Sequence, residues 1–329
     1  MSGLKRFFVK AVTLPGVPDL IAEATGTEGT IFMAHRFAVP DLGVKGHDPE
    51  ALRRVLAELR RWRYDLISLE DAFRRMQNGE SMKRAVVFTM DDGYFDQGLV
   101  AGPIFAEFDC PVTVFAVTGF LDGSLWLWWD QIAYIFENTN RKDLGAAEGG
   151  GGWRELAWRW QDLPEVDRLA RIRDLSREAE VEIPEKCPAR FAALTWDQAR
   201  SLEKRGMSFG PHTLTHPVLS RTSDEQCERE MTESWRQLGM QVSRPVPVFG
   251  YPTGRAGDYG AREAATARRM GLFGAVNAQP GHVESGWLRA TEENAYDVPR
   301  HPYPDDMADV LQCISGLEGL KSLLRSVNA

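Results

Sequence analysis

Two groups of residues in this 329-residue chain have the types and spacing to do chemistry. The first is Asp91-Asp92-Gly93, directly after the apolar run Val86-Val87-Phe88. Asp-Gly is a strong turn signal, so a polar turn is the plain alternative. Two adjacent carboxylates at the mouth of a sheet repel one another, and a cation would relieve that repulsion. The second group is His212-Thr213-Leu214-Thr215-His216, which contains two of the six histidines. On a helical turn, a spacing of four puts both rings on one face. The alternative is two unrelated surface histidines near a helix start. Two imidazoles and one carboxylate suffice for a catalytic Zn²⁺ and leave positions open for water and substrate. The second carboxylate would then be left over as a general base.

These groups need elements that bring them together. The chain alternates short apolar runs with amphipathic stretches, the pattern of an α/β fold with parallel strands. Strands are expected at 30–34, 65–69, 84–90, 111–117, 208–211, 246–251, 273–276 and 298–301. Helices are expected at 49–61, 69–76, 196–205, 225–239, 260–271 and 306–327. Asp48 reads as an N-cap with Pro49 at the first helical position. About seven strand–helix units, with polar residues where strands end, imply an irregular (β/α) barrel whose chemistry sits on the loops of one face. The whole chain, 1–329, reads as a single domain. Residues 125–190 differ: they are rich in tryptophan and charge, helical in pattern, and interrupted by a glycine run at 149–152. They read as a helical insertion or lid without a separate core, with disorder expected around the glycines.

Apolar residues make up 43% of the chain and charged residues 26%, ordinary values for a globular protein. The net charge of −8 argues against a nucleic-acid partner, which would need a basic face. The four cysteines are scattered, without a C-x-x-C, and read as reduced thiols. No stretch approaches the roughly 20 apolar residues of a membrane-spanning helix. The first residues lack the uninterrupted apolar run of a signal peptide. A cytoplasmic location is expected. Weak membrane association through Phe7, Phe8, Lys5, Arg6 and Lys10 is the alternative to a packed leader. The sequence carries no reading of oligomeric state.

Phe88-Thr89-Met90-Asp91-Asp92-Gly93 resembles the T-F-D-D-G motif of the polysaccharide deacetylases, the NodB homology domain of carbohydrate esterase family 4, with Met90 where the motif has Phe. His212 to His216 resembles that family's H-[ST]-x-x-H. Phe249-Gly250-Tyr251-Pro252-Thr253-Gly254 is similar to the F-x-Y-P-x-G variant of its third motif, as in deacetylases of exopolysaccharide and biofilm clusters. The resemblance runs from about Thr30 to His301, interrupted by 125–190. It implies a metal-dependent hydrolase that removes an N-acetyl group from an amino sugar or glycoconjugate and releases acetate. It also implies Asp91 as base and Asp92, His212 and His216 as ligands of a divalent metal, Zn first, with Co, Ni, Mn or Fe also accepted. The family's third motif usually begins with an arginine that orients the base. Gly250 stands in that place, and Arg300 of Pro299-Arg300 is the candidate to supply the role from another strand. Thr253 stands where the family usually has Tyr, and its backbone N–H survives as an oxyanion donor.

For the general acid, Met33-Ala34-His35-Arg36 resembles the Y-H element of the biofilm poly-N-acetylglucosamine deacetylases and points to His35. His301 is the competitor, but it follows Arg300 directly, and on a strand the two would face opposite ways. His282 reads as a loop residue. Trp126, Trp128 and Trp129 form either a sugar-stacking wall or, preferably, insertion packing. Arg36 is a candidate contact to substrate phosphate or hydroxyls. Two other readings are a catalytically impaired carbohydrate-binding member of the same fold and a different metal-dependent hydrolase.

Overall fold

The computed structural model describes Val17, residues 29–145 and residues 150–315. The basic and aromatic leader, Gly149 and the end of the expected 306–327 helix lie outside the described residues.

The chain folds as an α/β barrel of parallel strands. β1 (Gly29–Ala34) pairs with β3 (Ala85–Asp92), which pairs with β4 (Val112–Ala116), which pairs with β5 (Met207–Pro211). A short β2 (Asp65–Leu66) lies beside the start of β3. β6 (Val248–Gly250) and β7 (Gly274–Val276) form a second, two-stranded sheet. The circuit closes irregularly. The Val246 N–H donates to Phe209 at 2.7 Å, Val298 bridges to Val276, and β8 (His301–Pro302) pairs with β1.

Alternation along the strands sorts the side chains into two layers. Ile31, Val87, Phe115, Val248, Val276 and Val298 form the inner cluster. Phe32, Phe88, Val112, Val114 and Phe209 form the outer one, under the helices. The same parity turns Asp91, two residues beyond Thr89 and four beyond Val87, toward the barrel interior. It turns Arg300 the same way, two residues beyond Val298.

The helix Pro49–Arg61 (α1) starts as its sequence dictates. Asp48 accepts hydrogen bonds from the Glu50 and Ala51 N–H groups, and Leu52, Val55, Leu56 and Leu59 form its buried stripe. Ser68 caps the helix Leu69–Asn78 (α2), which Gly79 ends in a left-handed conformation. Several expected boundaries move. The 84–90 strand starts at Ala85 and runs on through Asp92, because Asp91 and Asp92 pair with Phe115 and Ala116 of β4. The 65–69 strand shrinks to two residues, and the 298–301 strand shifts to His301–Pro302, leaving Val298 as a lone bridge. The expected 306–327 helix is described as Met307–Ile314.

The expected insertion, residues 125–190, builds three α-helices among its described residues: Trp128–Asn138 (α3), Trp153–Trp160 (α4) and Glu165–Glu178 (α5). Their buried faces form a cluster of their own, with Ile132, Ile135, Leu156, Trp160, Ile172 and Leu175 at its centre. The segment therefore packs on itself, contrary to the expectation of an insertion without a separate core.

Candidate active site

The carboxylates, both histidines, His35 and Thr253 line one cleft of about 390 Å³. A larger hollow of about 630 Å³ shares Trp128 with this cleft, but none of Asp91, Asp92, His212 and His216 lines it. The site is therefore assigned by its chemistry and not by cavity size.

Asp91 is buried and gripped from within the barrel. Arg300 Nη1 and Nη2 donate to its two carboxylate oxygens, each at 2.7 Å. Arg300 is itself fully buried. Its Nε donates to the Asn277 carbonyl at 2.7 Å and its Nη1 also donates to Thr89 Oγ1 at 3.0 Å. Burial alone would push the Asp91 pKa up. The Arg300 guanidinium, helped by the nearby His212, overrules it and holds the carboxyl at about 2. Gln97 braces the backbone, its amide donating to the carbonyls of Asp91 and of His35.

Gly250 explains why this arginine comes from another strand. A Cβ at Gly250 would stand 2.7 Å from the Phe115 ring and 3.1 Å from His212 Nδ1. No side chain fits there, so the guanidinium arrives from position 300, across the ring of Phe115.

Asp92 takes a left-handed backbone conformation (φ 79°), uncommon for a residue with a Cβ. Gly93 follows at φ 90°, where a Cβ would press within 2.6 Å of Leu121. This turn separates the two carboxylates. Asp92 Oδ1 lies 3.5 Å from His216 Nε2 and 3.8 Å from His212 Nε2.

The histidines do not share a helical turn, contrary to what their spacing suggests. They lie on a loop after β5, with Thr213 (φ 68°) and His216 (φ 61°) both left-handed. Their rings still meet, at 4.9 Å between centroids. The loop is held from the helix Asp224–Gln241 (α6). The buried Glu230 carboxylate accepts the Leu214 and Thr215 N–H groups at 2.9 Å and the Thr215 hydroxyl at 2.8 Å. Thr213 Oγ1 accepts the His216 N–H at 3.0 Å.

These three residues suit a divalent ion. Their ligand atoms lie within 4.8 Å of one another. A tetrahedral ion with bonds of about 2.0–2.2 Å would hold donors roughly 3.3–3.6 Å apart. His212 Nδ1 lies 2.6 Å from the Gly250 carbonyl. A carbonyl can only accept, so Nδ1 carries the proton and Nε2 offers its lone pair toward Asp92. Burial lowers the pKa of both rings, His212 to about 4, which keeps them neutral and able to ligate. Burial, then the charges of Asp91 and Asp130, push the Asp92 carboxyl well above the usual carboxylate range. A cation beside it would reverse that shift.

His35 stands at the rim, with its surface open to solvent. The protein mass around its ring lowers its pKa, while the Asp91 charge pulls the other way. His301 and His282 are elsewhere. Their rings pack against each other at 4.8 Å on the flank of β1, and neither lines the cleft. Thr253, also left-handed (φ 59°), lines the cleft. Among the described residues, its backbone N–H has no hydrogen-bond partner. Arg36 is tied to buried Asp96 at 2.8 Å and to the Arg190 carbonyl at 2.7 Å, and lies over the Tyr94 ring. It acts as a brace in the cleft wall.

The tryptophans divide. Trp126 and Trp128 are buried in the packing of the insertion, although Trp128 also reaches the cleft wall. Trp129 is half-buried, with its ring 4.8 Å from that of His216. Its Nε1 donates to the Tyr94 hydroxyl at 2.8 Å, which donates to Asp130 at 2.8 Å. Sequence reasoning missed Tyr94, Gln97 and Glu230. Each acts across a long stretch of chain, and no local pattern marks them.

Residues 78–272 match the family described as polysaccharide deacetylase. That is more than half of the chain, and the chain belongs to this family. Its fold is similar to that of the Streptococcus pyogenes deacetylase PplD, at 19% identity over 87% of this chain and 98% of that one, with a TM-score of 0.58. It is also similar to IcaB from Ammonifex degensii, at 14% identity over 88% and 98% of the two chains, with a TM-score of 0.55. A de-N-acetylase from Aggregatibacter actinomycetemcomitans gives 14%, 85% and 95%, with a TM-score of 0.53. At these identities the likeness shows the fold. The Bacillus subtilis (strain 168) protein YxkH, named provisionally as a polysaccharide deacetylase, is 26% identical over 88 residues. That match spans 27% of this chain and 30% of YxkH.

Proposed function

We propose that this protein is a metal-dependent N-deacetylase that releases acetate from an N-acetylated amino sugar or glycoconjugate. The observation that carries the reading is the division of the two carboxylates. Asp91 is held ionised by Arg300, while Asp92 faces two neutral imidazoles. Family membership and the fold shared with PplD, solved in complex with acetate, support the same chemistry.

Asp92, His212 and His216 would hold the ion, Zn²⁺ first by donor chemistry, with Co, Ni, Mn or Fe as other occupants. When bound, it would lower the pKa of a water and polarise the acetyl carbonyl. Asp91 accepts the proton of the attacking water, positioned for that by the Arg300 fork. The Thr253 N–H donates to the oxygen that gains charge. His35, at the rim, gives a proton to the leaving nitrogen. The amide C–N bond breaks, and the products are acetate and a free amine. No helix among the described residues is long and apolar enough to cross a membrane. Placement in the cytoplasm is part of the proposal and rests on the sequence alone.

Acetate release from an N-acetylglucosamine oligomer tests this reading. Prolonged chelation should bring release to background, and restored Zn²⁺ or Co²⁺ should bring it back. Full release by protein shown to be metal-free, or none from any acetamido sugar with metal bound, would refute it.

A further inference from the structure

A smaller hollow, of about 200 Å³, adjoins the active-site cleft at Trp129. It shares Arg36, Tyr94, Trp129, Trp153 and Arg154 with the active-site cleft, so the two are neighbours across these side chains. Trp129 links them most closely, since its ring also touches that of the metal-ligating candidate His216.

The wall of this hollow is basic. It carries Arg36, Lys45, Arg154 and Arg190 against two carboxylates, Asp130 and Glu137. Glu137 is ion-paired with Arg190, and Arg36 with Asp96. Asp130 is buried and accepts the Tyr94 hydroxyl, and burial pushes its pKa up to about 7. Lys45 and Arg154 remain. Both are exposed, and among the described residues neither has a carboxylate partner. The Arg154 guanidinium lies 4.5 Å from the centre of the Trp153 ring, which also lines the hollow.

Two uncompensated cations on an aromatic wall suit a compact dianion better than a neutral sugar or a single carboxylate. We propose that this hollow is a subsite for a phosphate ester carried by the acetamido sugar, with Lys45 and Arg154 as specificity-determining residues. The substrate class is then a sugar phosphate or a phosphate-linked glycoconjugate. The inference rests on the deacetylase reading, which places the acetamido group against Asp91 and the proposed metal ligands in the adjoining cleft.

The test is direct binding to the full chain, by calorimetry, of N-acetylglucosamine 1-phosphate, N-acetylglucosamine and the carboxylate-bearing N-acetylmuramic acid. The phosphate ester should bind tenfold or more tightly than the neutral sugar. That preference should shrink as ionic strength rises, and should disappear in the double variant Lys45→Glu/Arg154→Glu. Both positions are exposed, so the variant is expected to fold. Equal affinity for phosphate and neutral sugars, or a preference that survives the double variant, would overturn the subsite. Equal tightening by the carboxylate sugar would overturn the assignment to phosphate. Binding and turnover separate the two proposals. If no acetate is released but the phosphate preference holds and depends on Lys45 and Arg154, the deacetylase reading fails and the subsite stands.

Discussion

Replacing Asp91 by Asn should lower acetate release by about 10²–10⁴-fold, the range a positioned general base contributes, while bound metal stays near one equivalent. In the proposed mechanism the Asp91-Asp92 pair divides its labour between base and metal ligand. The amide has the shape of the carboxylate but cannot take up the proton of an attacking water. Asp92, His212 and His216 are untouched, so the ion remains. The variant also leaves the buried Arg300 guanidinium without its counter-charge, and some loss of thermal stability should accompany the loss of turnover. Metal content measured alongside release separates the two effects. Retained turnover in Asp91→Asn would remove Asp91 from the base role.

Arg300→Met should be nearly as damaging by a different route. Met keeps much of the apolar volume but removes both hydrogen bonds to Asp91 and those to Thr89 and Asn277. A carboxylate that is 2% exposed would then be left with nothing but burial acting on it from that side. Breaking one partner of a buried ion pair costs about 3–5 kcal/mol. Denaturant unfolding should register a loss of that order. Where the variant stays folded, the Asp91 pKa should rise from its present low value, because the guanidinium that overrules desolvation is gone. Part of the population would then carry a protonated base, and turnover should fall even where the metal is retained. Wild-type stability and activity in Arg300→Met would show that the fork to Asp91 is incidental.

Legibility in the sequence followed how local each determinant is. The helix Pro49–Arg61 begins at the expected residue because its signals, Asp48, Pro49 and the leucine spacing, all lie within it. The strand after Arg84 was read short because its last two residues are recruited by pairing with β4, which local composition does not record. The residues of the His212–His216 turn were legible from their types. Its shape was not, because the left-handed Thr213 and His216 depend on Glu230 from a later helix. Arg300 sits 209 positions from Asp91, and only the resemblance suggested it, because Gly250 stands where the family's third motif usually has its arginine. Strand parity alone separated His301 from Arg300, and the structure places His301 against His282, away from the cleft. The link from Trp129 through Tyr94 to Asp130 was not legible, since it joins an insertion helix to a residue just past β3.

The central claim is that Asp92, His212 and His216 together hold one ion beside an ionised Asp91. Anomalous diffraction from crystals of the full chain with Zn²⁺ tests it most directly. The account predicts a single peak within bonding distance of Asp92 Oδ1, His212 Nε2 and His216 Nε2, with Asp91 still in the Arg300 fork. A peak ligated by other residues, or no peak at this site at saturating Zn²⁺, would contradict it.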